Sequence, residues 1–248
     1  MPRTTDKAKR TAGVMDAAYA RGRRETPHLI WRYRMRAFEA AAAYSELGER
    51  LKSYRVLELG AADGLTLLEL RNFFGHRGIF DGVELSDSLL AAAPPLPGDT
   101  KLLKGDVMSL PEALTQTSYD LVTALAVLEH LPEPLLCVRE AYRMLRPGGV
   151  FVATCPNPRW DRIAGALKLV ADEHHEQRLT MEGIAQMCRT AGFQHVRGRP
   201  FMWAPVGLLP YAKISVPLPL AASLDAFARR LAFMHCTFVN QLVYAQRP

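Results

Sequence analysis

Seven consecutive residues, Glu58-Leu59-Gly60-Ala61-Ala62-Asp63-Gly64, connect an apolar strand-like run ending at Val56-Leu57 to a helical stretch beginning Leu65-Thr66-Leu67-Leu68. A turn between a parallel strand and its helix that meets a ligand needs small residues, because backbone N–H groups must approach it closely at the helix N-terminus. Twenty residues beyond Gly64 stands Glu84, closing a second strand-like run, Gly78-Ile79-Phe80-Asp81-Gly82-Val83-Glu84. A carboxylate at that spacing can accept hydrogen bonds from both hydroxyls of a ribose. The chemistry of the pair is nucleoside binding. It is not dinucleotide binding, since Gly60 and Gly64 leave the G-x-G-x-x-G fingerprint of pyrophosphate sites unmet, which disfavours a nicotinamide dehydrogenase.

These residues resemble the first motif of the class I S-adenosylmethionine-dependent methyltransferases, E/D-x-G-x-G-x-G, with Ala62 in place of the middle glycine. One methyl group fits there if the backbone keeps φ below zero. The resemblance continues at Lys101-Leu102-Leu103-Lys104-Gly105-Asp106-Val107 and at Tyr119-Asp120-Leu121-Val122-Thr123-Ala124-Leu125-Ala126-Val127-Leu128-Glu129-His130-Leu131-Pro132. It implies a Rossmann-like α/β fold, a seven-stranded sheet with helices on both faces, and S-adenosylmethionine as cofactor. Glu58, Gly60, Ala61, Ala62 and Gly64 would form the cradle, and Glu84 with Leu85 the ribose contact. Asp106 would read the adenine amino group, Val107 would supply an amide and an apolar wall, and Ala124 with Leu125 would line the methionine arm. An alternative for Asp106 is a surface residue capping the turn before Leu110-Pro111.

Two histidines are candidates for proton removal from an acceptor hydroxyl. His130 follows the fourth strand and would face the pocket mouth. His175, in Glu173-His174-His175-Glu176-Gln177-Arg178-Leu179-Thr180, matches the histidine that small-molecule and lipid-precursor methyltransferases carry before a late helix. His130 could instead be a structural hydrogen-bonding group. The same four residues 173–176 could suggest a metal, but neighbours in one loop do not converge on one ion, so no metal is expected. Cys137, Cys155, Cys188 and Cys236 form no C-x-x-C pair and read as small buried hydrophobes in a reducing compartment.

The elements that must position these groups alternate along the chain. A helical pattern spans residues 29–47, and strand-like and helical runs then follow at 55–59, 65–74, 79–84, 86–92, 101–103, 119–125, 134–145, 149–155, 181–191 and 193–199. Such alternation implies a parallel sheet, whose ligands sit at the carboxyl ends of the strands. Thr180 is placed to start the helix at 181 and Gly192 to end it. The chain divides into an arm at 1–26, a helical lid at 27–50, a cofactor-binding core at 51–199, an apolar insertion at 200–236 and a last strand at 237–248.

A chain of 248 residues with 49% apolar content supports one such domain. No run of about twenty apolar residues predicts a membrane span, and Met1-Pro2-Arg3-Thr4-Thr5 has no apolar signal core, so a cytoplasmic location is expected. The net charge of +6 is concentrated between Met1 and Arg36, where Lys and Arg exceed Asp and Glu by seven. That arm reads as a solvated tether, or as a contact with anionic lipid or RNA. In the insertion, Leu224, Phe227, Leu231 and Met234 repeat at helical spacing. The stripe either covers the sheet or meets a large greasy acceptor or a bilayer.

The expected function is methyl transfer to a small-molecule hydroxyl on a quinone-like, polyketide or lipid-linked acceptor, with peripheral membrane contact. Its alternatives are an RNA methyltransferase using the basic arm and a catalytically inactive cofactor-binding subunit.

Overall fold

The computed structural model describes residues 17–111, 114, 117–160 and 178–248. Helices α1 (Ala17–Glu25) and α2 (Pro27–Leu47) precede β1 (Tyr54–Leu59), α3 (Leu65–Phe73), β2 (Gly78–Glu84), α4 (Asp87–Ala91) and β3 (Thr100–Lys104). Then come β4 (Tyr119–Leu125), a 3₁₀ turn at Leu128–His130, α5 (Pro134–Met144), β5 (Leu145–Pro156), α6 (Met181–Ala191) and β6 (Gln194–Trp203). The chain closes with α7 (Ala204–Gly207), a 3₁₀ turn at Leu209–Ala212, α8 (Leu218–Arg229), a 3₁₀ segment at Ala232–Thr237 and β7 (Phe238–Gln246).

The strands form one seven-stranded sheet in the order β3-β2-β1-β4-β5-β7-β6. β1 to β5 run parallel, whereas β7 is antiparallel to both β5 and β6. Parallel central strands need cover on both faces, and the sequence supplies it by alternation. Val56, Leu121, Val150, Val152, Leu242 and Tyr244 pack on one side with Met35, Ala37 and Tyr44 of α2 and Leu67 and Leu70 of α3. Leu57, Val122, Phe151, Ala153, Val243 and Ala245 pack on the other with Cys137, Val138 and Met144 of α5 and Ile184 and Cys188 of α6. Each pair of chain neighbours is split between the two cores, so a slip of one residue would invert both.

The helix predicted as a lid is in large part core. Met35, Ala37, Ala40 and Ala43 are fully buried on the sheet. Its Pro27 stands in the first turn, where a missing N–H costs nothing. Thr180 caps α6 by accepting from Gly183 N at 3.1 Å, and Gly192 ends it at φ 101°. β5 and β6 are longer than their sequence patterns, and β6 carries strand pairing to Trp203, inside the segment assigned to the insertion.

The apolar stripe of the insertion covers the core only in part: Leu224 packs against it. α8 buries Ala221, Asp225 and Ala228, while Leu220, Phe227 and Leu231 are exposed. Asp225 decides this orientation: it accepts from Met202 N at 2.6 Å and Trp203 N at 2.8 Å, tying the helix to the end of β6 by its polar side. The cysteine expectation also needs one correction. Cys137, Cys155 and Cys188 are buried and form no disulfide among the described residues, and burial pushes the Cys188 thiol up to about 12, but Cys236 is exposed. No described helix is long and apolar enough to cross a membrane.

Candidate active site

β1 ends at Leu59, and its pairing with β2 sets Leu59 opposite Val83, which places the loop Gly60–Gly64 beside Glu84. The loop is folded by its own amides. Ala61 N donates to Val83 O at 2.9 Å, Gly64 N to Ala61 O at 2.8 Å, and Ala62 N to Glu84 Oε2 at 2.9 Å. Gly60 and Gly64 take φ of 68° and 80°. A Cβ on Gly60 would also meet Val127 at 2.5 Å, so this position excludes any side chain.

Ala62 corrects the sequence reading. Its φ is 51°, inside the left-handed region, not below zero. The loop therefore needs the backbone form that the missing glycine would adopt freely, and Ala62 bears a strain of about 1 kcal/mol to reach it. The hydrogen bond to Glu84 holds it there. Glu84 is buried at 8% exposure, and its other oxygen accepts from Ser86 N at 2.8 Å. Both oxygens thus face amide donors along the same edge, and Leu85 beside it is exposed.

Glu58 lies beneath the loop, 1% exposed. Thr66 of α3 donates to its Oε1, and Oε2 has no hydrogen-bond partner among the described residues. Burial pushes this carboxyl up to about 8, against the Thr66 bond and the charge of Arg23, so it is largely protonated at neutral pH. Its position under the loop makes it a support of the cradle.

The remaining sequence-derived residues fall on neighbouring strand ends. Asp106 follows β3, and its Oδ1 accepts from Met108 N at 2.8 Å, so one oxygen caps its own turn while the other makes no hydrogen bond among the described residues. Val107 is buried beside it. Ala124 and Leu125 end β4, both buried, and Ala126 turns the chain away at φ 59° with its N–H on Thr154 O at 2.9 Å. His130 closes the 3₁₀ turn after β4 and is half-buried. His175, with Glu173, His174 and Glu176, lies outside the described residues. Among the described residues no group of His, Cys, Asp and Glu could hold a metal ion.

Because the sheet order is β3-β2-β1-β4, the side chains line up along one edge as Asp106, Glu84, the loop and Ala124-Leu125. That spatial order matches an extended ligand made of adenine, ribose and methionine arm. The residues present thus fit an S-adenosyl group: an acid after β3, a buried carboxylate at the end of β2, a glycine-cornered loop after β1 and a small apolar floor at the end of β4.

Sequence reasoning missed the roof of this edge. Asp63 is fully buried and is gripped from α1: Arg24 Nε bonds its carboxylate, Arg24 Nη2 donates to its carbonyl at 2.9 Å, and Arg23 lies 3.5 Å from Oδ1. Ala20 of α1 packs with Ala62 and Leu89. The only available signal was an arginine doublet upstream and an acid inside a glycine turn, which no local rule pairs.

Residues 57–153 match a family described as "Methyltransferase domain". A "Probable S-adenosylmethionine-dependent methyltransferase" of Mycolicibacterium smegmatis is 29% identical over 61% of this chain and 56% of its own length. The demethylmenaquinone methyltransferase of Staphylococcus aureus is 28% identical over 50% of this chain and 48% of its own. The chain spans about half the length of these curated relatives. Among solved structures, the complex between the Haloferax volcanii Trm112 methyltransferase activator and its methyltransferase gives a TM-score of 0.63 at 20% identity, covering 94% of both chains, which speaks to the fold alone. The matched domain runs from β1 to β5 and so carries the Gly60–Gly64 loop, Glu84, Asp106 and the end of β4 together; over residues 57–153 this chain is similar to methyltransferase domains, and its relatives include S-adenosylmethionine-dependent methyltransferases.

Proposed function

We propose that this protein transfers a methyl group from S-adenosylmethionine to a hydroxyl of an apolar small molecule, of quinone-like, polyketide or lipid-linked type. The observation that carries the acceptor class is the apolar wall at the end of β4: Leu125 shares one cluster with Trp31 of α2 and with Val206 and Val216 of the insertion, and Trp203, Leu209 and Leu218 pack against it. Trp31 Nε1 donates to Val216 O at 2.7 Å, so the insertion is tied to α2 over this corner. The name of the Staphylococcus aureus relative supports a quinone-like acceptor.

S-adenosylmethionine brings an already activated methyl group, so the protein's part is to align, to exclude water and to take up a proton. Alignment falls to the amides of the Gly60–Gly64 loop and to Glu84, and exclusion of water to the buried wall around Leu125. His130 or His175 removes the acceptor proton, a step worth typically about 10²–10⁴-fold. The exposed side chains of Leu220, Phe227 and Phe233, in a segment of chain that also carries Lys213 and Arg230, support delivery of the acceptor from a membrane surface.

The test is turnover: purified protein with S-adenosylmethionine and a panel of apolar phenols, quinols and polyketide-like hydroxyls, scored by S-adenosylhomocysteine formed. Turnover on an apolar hydroxylated acceptor supports the assignment. Cofactor binding without turnover across the panel moves it to an inactive cofactor-binding subunit. If His130→Ala and His175→Ala each stay within about threefold of wild type, alignment alone carries the reaction.

A further inference from the structure

α8 is apolar on two sides. Leu218 and Leu224 pack against the core, and Ala221 and Ala228 are buried with Asp225. Leu220 and Phe227, seven residues apart and so on one side of the helix, are 51% and 60% exposed. Asp225 holds the helix this way round, because its two oxygens accept from the amides of Met202 and Trp203. A helix that had only to cover the core would carry polar residues on its outer side.

The rest of the insertion repeats the pattern. Of the ten exposed large apolar side chains among the described residues, seven fall between Leu208 and Phe233, so the exposure is gathered in one segment and is not the scatter of an ordinary surface. Tyr211 is among them; its ring stacks on His28 at a centroid distance of 3.9 Å, with an apolar body and a polar tip.

Charge identifies the partner. From residue 200 to the end of the sequence Asp225 is the single acid, and it is buried on backbone amides. Lys213, beside the exposed Ile214, and Arg230, whose N–H donates to Phe227 O at 3.1 Å, are exposed cations. Large apolar groups flanked by cations, with no exposed carboxylate from their own segment, complement acyl chains below anionic headgroups. A second copy in an isologous pair would set these cations against their own equivalents, with no acid of the segment to pair them.

We propose that the exposed surface of the insertion, with the outward side of α8 foremost, docks on an anionic bilayer. The inner side of the same segment belongs to the acceptor corner, since Val206 and Val216 cluster with Leu125 and Val216 O accepts from Trp31 Nε1. Docking leaves that corner one chain segment away from lipid, so an apolar acceptor dissolved in the membrane reaches it with little passage through water. This consequence rests on the methyl-transfer reading; the docking itself does not.

The experiment is flotation of the full-length protein with vesicles of phosphatidylcholine alone or mixed with phosphatidylglycerol. Wild type is compared with Leu220→Ser/Phe227→Ser and with Lys213→Glu/Arg230→Glu. The expected result is binding to the phosphatidylglycerol vesicles that falls about tenfold or more in each double variant and weakens with salt. All the changed side chains are exposed, so both variants should melt with wild type; if one melts lower, the other decides.

Wild type bound equally to the two kinds of vesicle, or unchanged in both variants, overturns the proposal. So does wild type that ignores vesicles but sediments as a dimer that Leu220→Ser/Phe227→Ser dissociates, which would assign the face to a second copy. Stabilisation by S-adenosylhomocysteine, read on the same preparations, separates the two readings. Vesicle binding without it keeps the docking and sinks the cofactor edge, and the reverse keeps the edge and sinks the docking.

Discussion

Arg24 of α1 and Asp63 of the β1–α3 loop are 39 residues apart in sequence and bonded twice in the fold, through the carboxylate and through the carbonyl of the same residue. The end of the basic arm is thereby fastened to the cofactor cradle. Asp63→Asn should take the Asp63 charge away from Arg23, whose side chain is 4% exposed, and from Arg24. Breaking a buried pair by removing one partner costs about 3–5 kcal/mol, and because Arg24 can swing into water we expect about 2 kcal/mol here. Urea unfolding measures it, and an unchanged midpoint would show that α1 does not brace the loop.

The same fastening affects how RNA binding is tested. Deletion of residues 1–26 removes Arg23 and Arg24 with the arm, so it should weaken S-adenosylhomocysteine binding as well. Charge reversal at Lys7, Lys9 and Arg10 leaves the Asp63 contacts intact. A salt-dependent RNA gel shift abolished by that reversal would favour nucleic acid as the partner, and its absence in wild type would remove the case.

Ala62, at φ 51°, is predicted to tolerate glycine but no β-branched residue. Ala62→Gly relieves about 1 kcal/mol of left-handed strain but adds unfolded-state entropy of about 0.4–1 kcal/mol, so stability should hardly change. Ala62→Val cannot adopt this backbone without greater strain and should break the Ala62 N to Glu84 bond. The expected signature is a loss of ligand-induced stabilisation in Val with retention in Gly, read by thermal unfolding.

Glu84→Ala should abolish the shift that S-adenosylhomocysteine gives. At about a hundred times its Kd a ligand stabilises by about 2.7 kcal/mol, roughly 5–10 °C for a chain of this size. A full shift in Glu84→Ala would mean that another group holds the ribose.

Glu58 makes the fold sensitive to alkali. Its carboxyl rises from an ordinary 4.5 to about 8 in the folded state. Between those values the folded protein binds more protons than the unfolded chain, so the contribution is complete below about pH 4.5 and is lost as pH rises through about 8. Stability should fall by up to roughly 1.4 kcal/mol per pH unit across that window from this group. Glu58→Gln, neutral at every pH, should flatten the profile, and an unchanged slope would place the titrating group elsewhere.

Phe227 and Phe233, 60% and 73% exposed, should govern adsorption to lipid. Phe227→Ser with Phe233→Ser should lower co-sedimentation with vesicles containing anionic phosphatidylglycerol by tenfold or more. Equal sedimentation of wild type and variant would leave the patch without a membrane role.

Much of the cofactor edge was legible because its signals are local. A glycine turn announces its own backbone, the alternation of Val56 and Leu57 or Val150 and Phe151 announces a strand covered on both faces, and Thr180 and Gly192 mark the two ends of α6. What escaped depended on distant partners. Periodicity placed Leu224, Phe227 and Leu231 on one face of a helix, but only Leu224 packs on the core; α8 ends at Arg229, Phe227 and Leu231 are exposed, and Asp225 is held by the amides of Met202 and Trp203. The sign of φ at Ala62 escaped for a similar reason, since the Glu84 carboxylate that holds it there belongs to another strand.

By itself the chain determined the alternation of strands and helices, the glycine turn after β1 and the similarity to methyltransferase domains, because each is written in short-range pattern and spacing. Tertiary structure alone decided that α1 grips Asp63, that much of the lid helix is core and that Arg36 is buried without an ion pair among the described residues. The physical reason is that the cost and the meaning of a charge depend on what surrounds it, and folding brings those surroundings from α1, α2 and β7 to a single point.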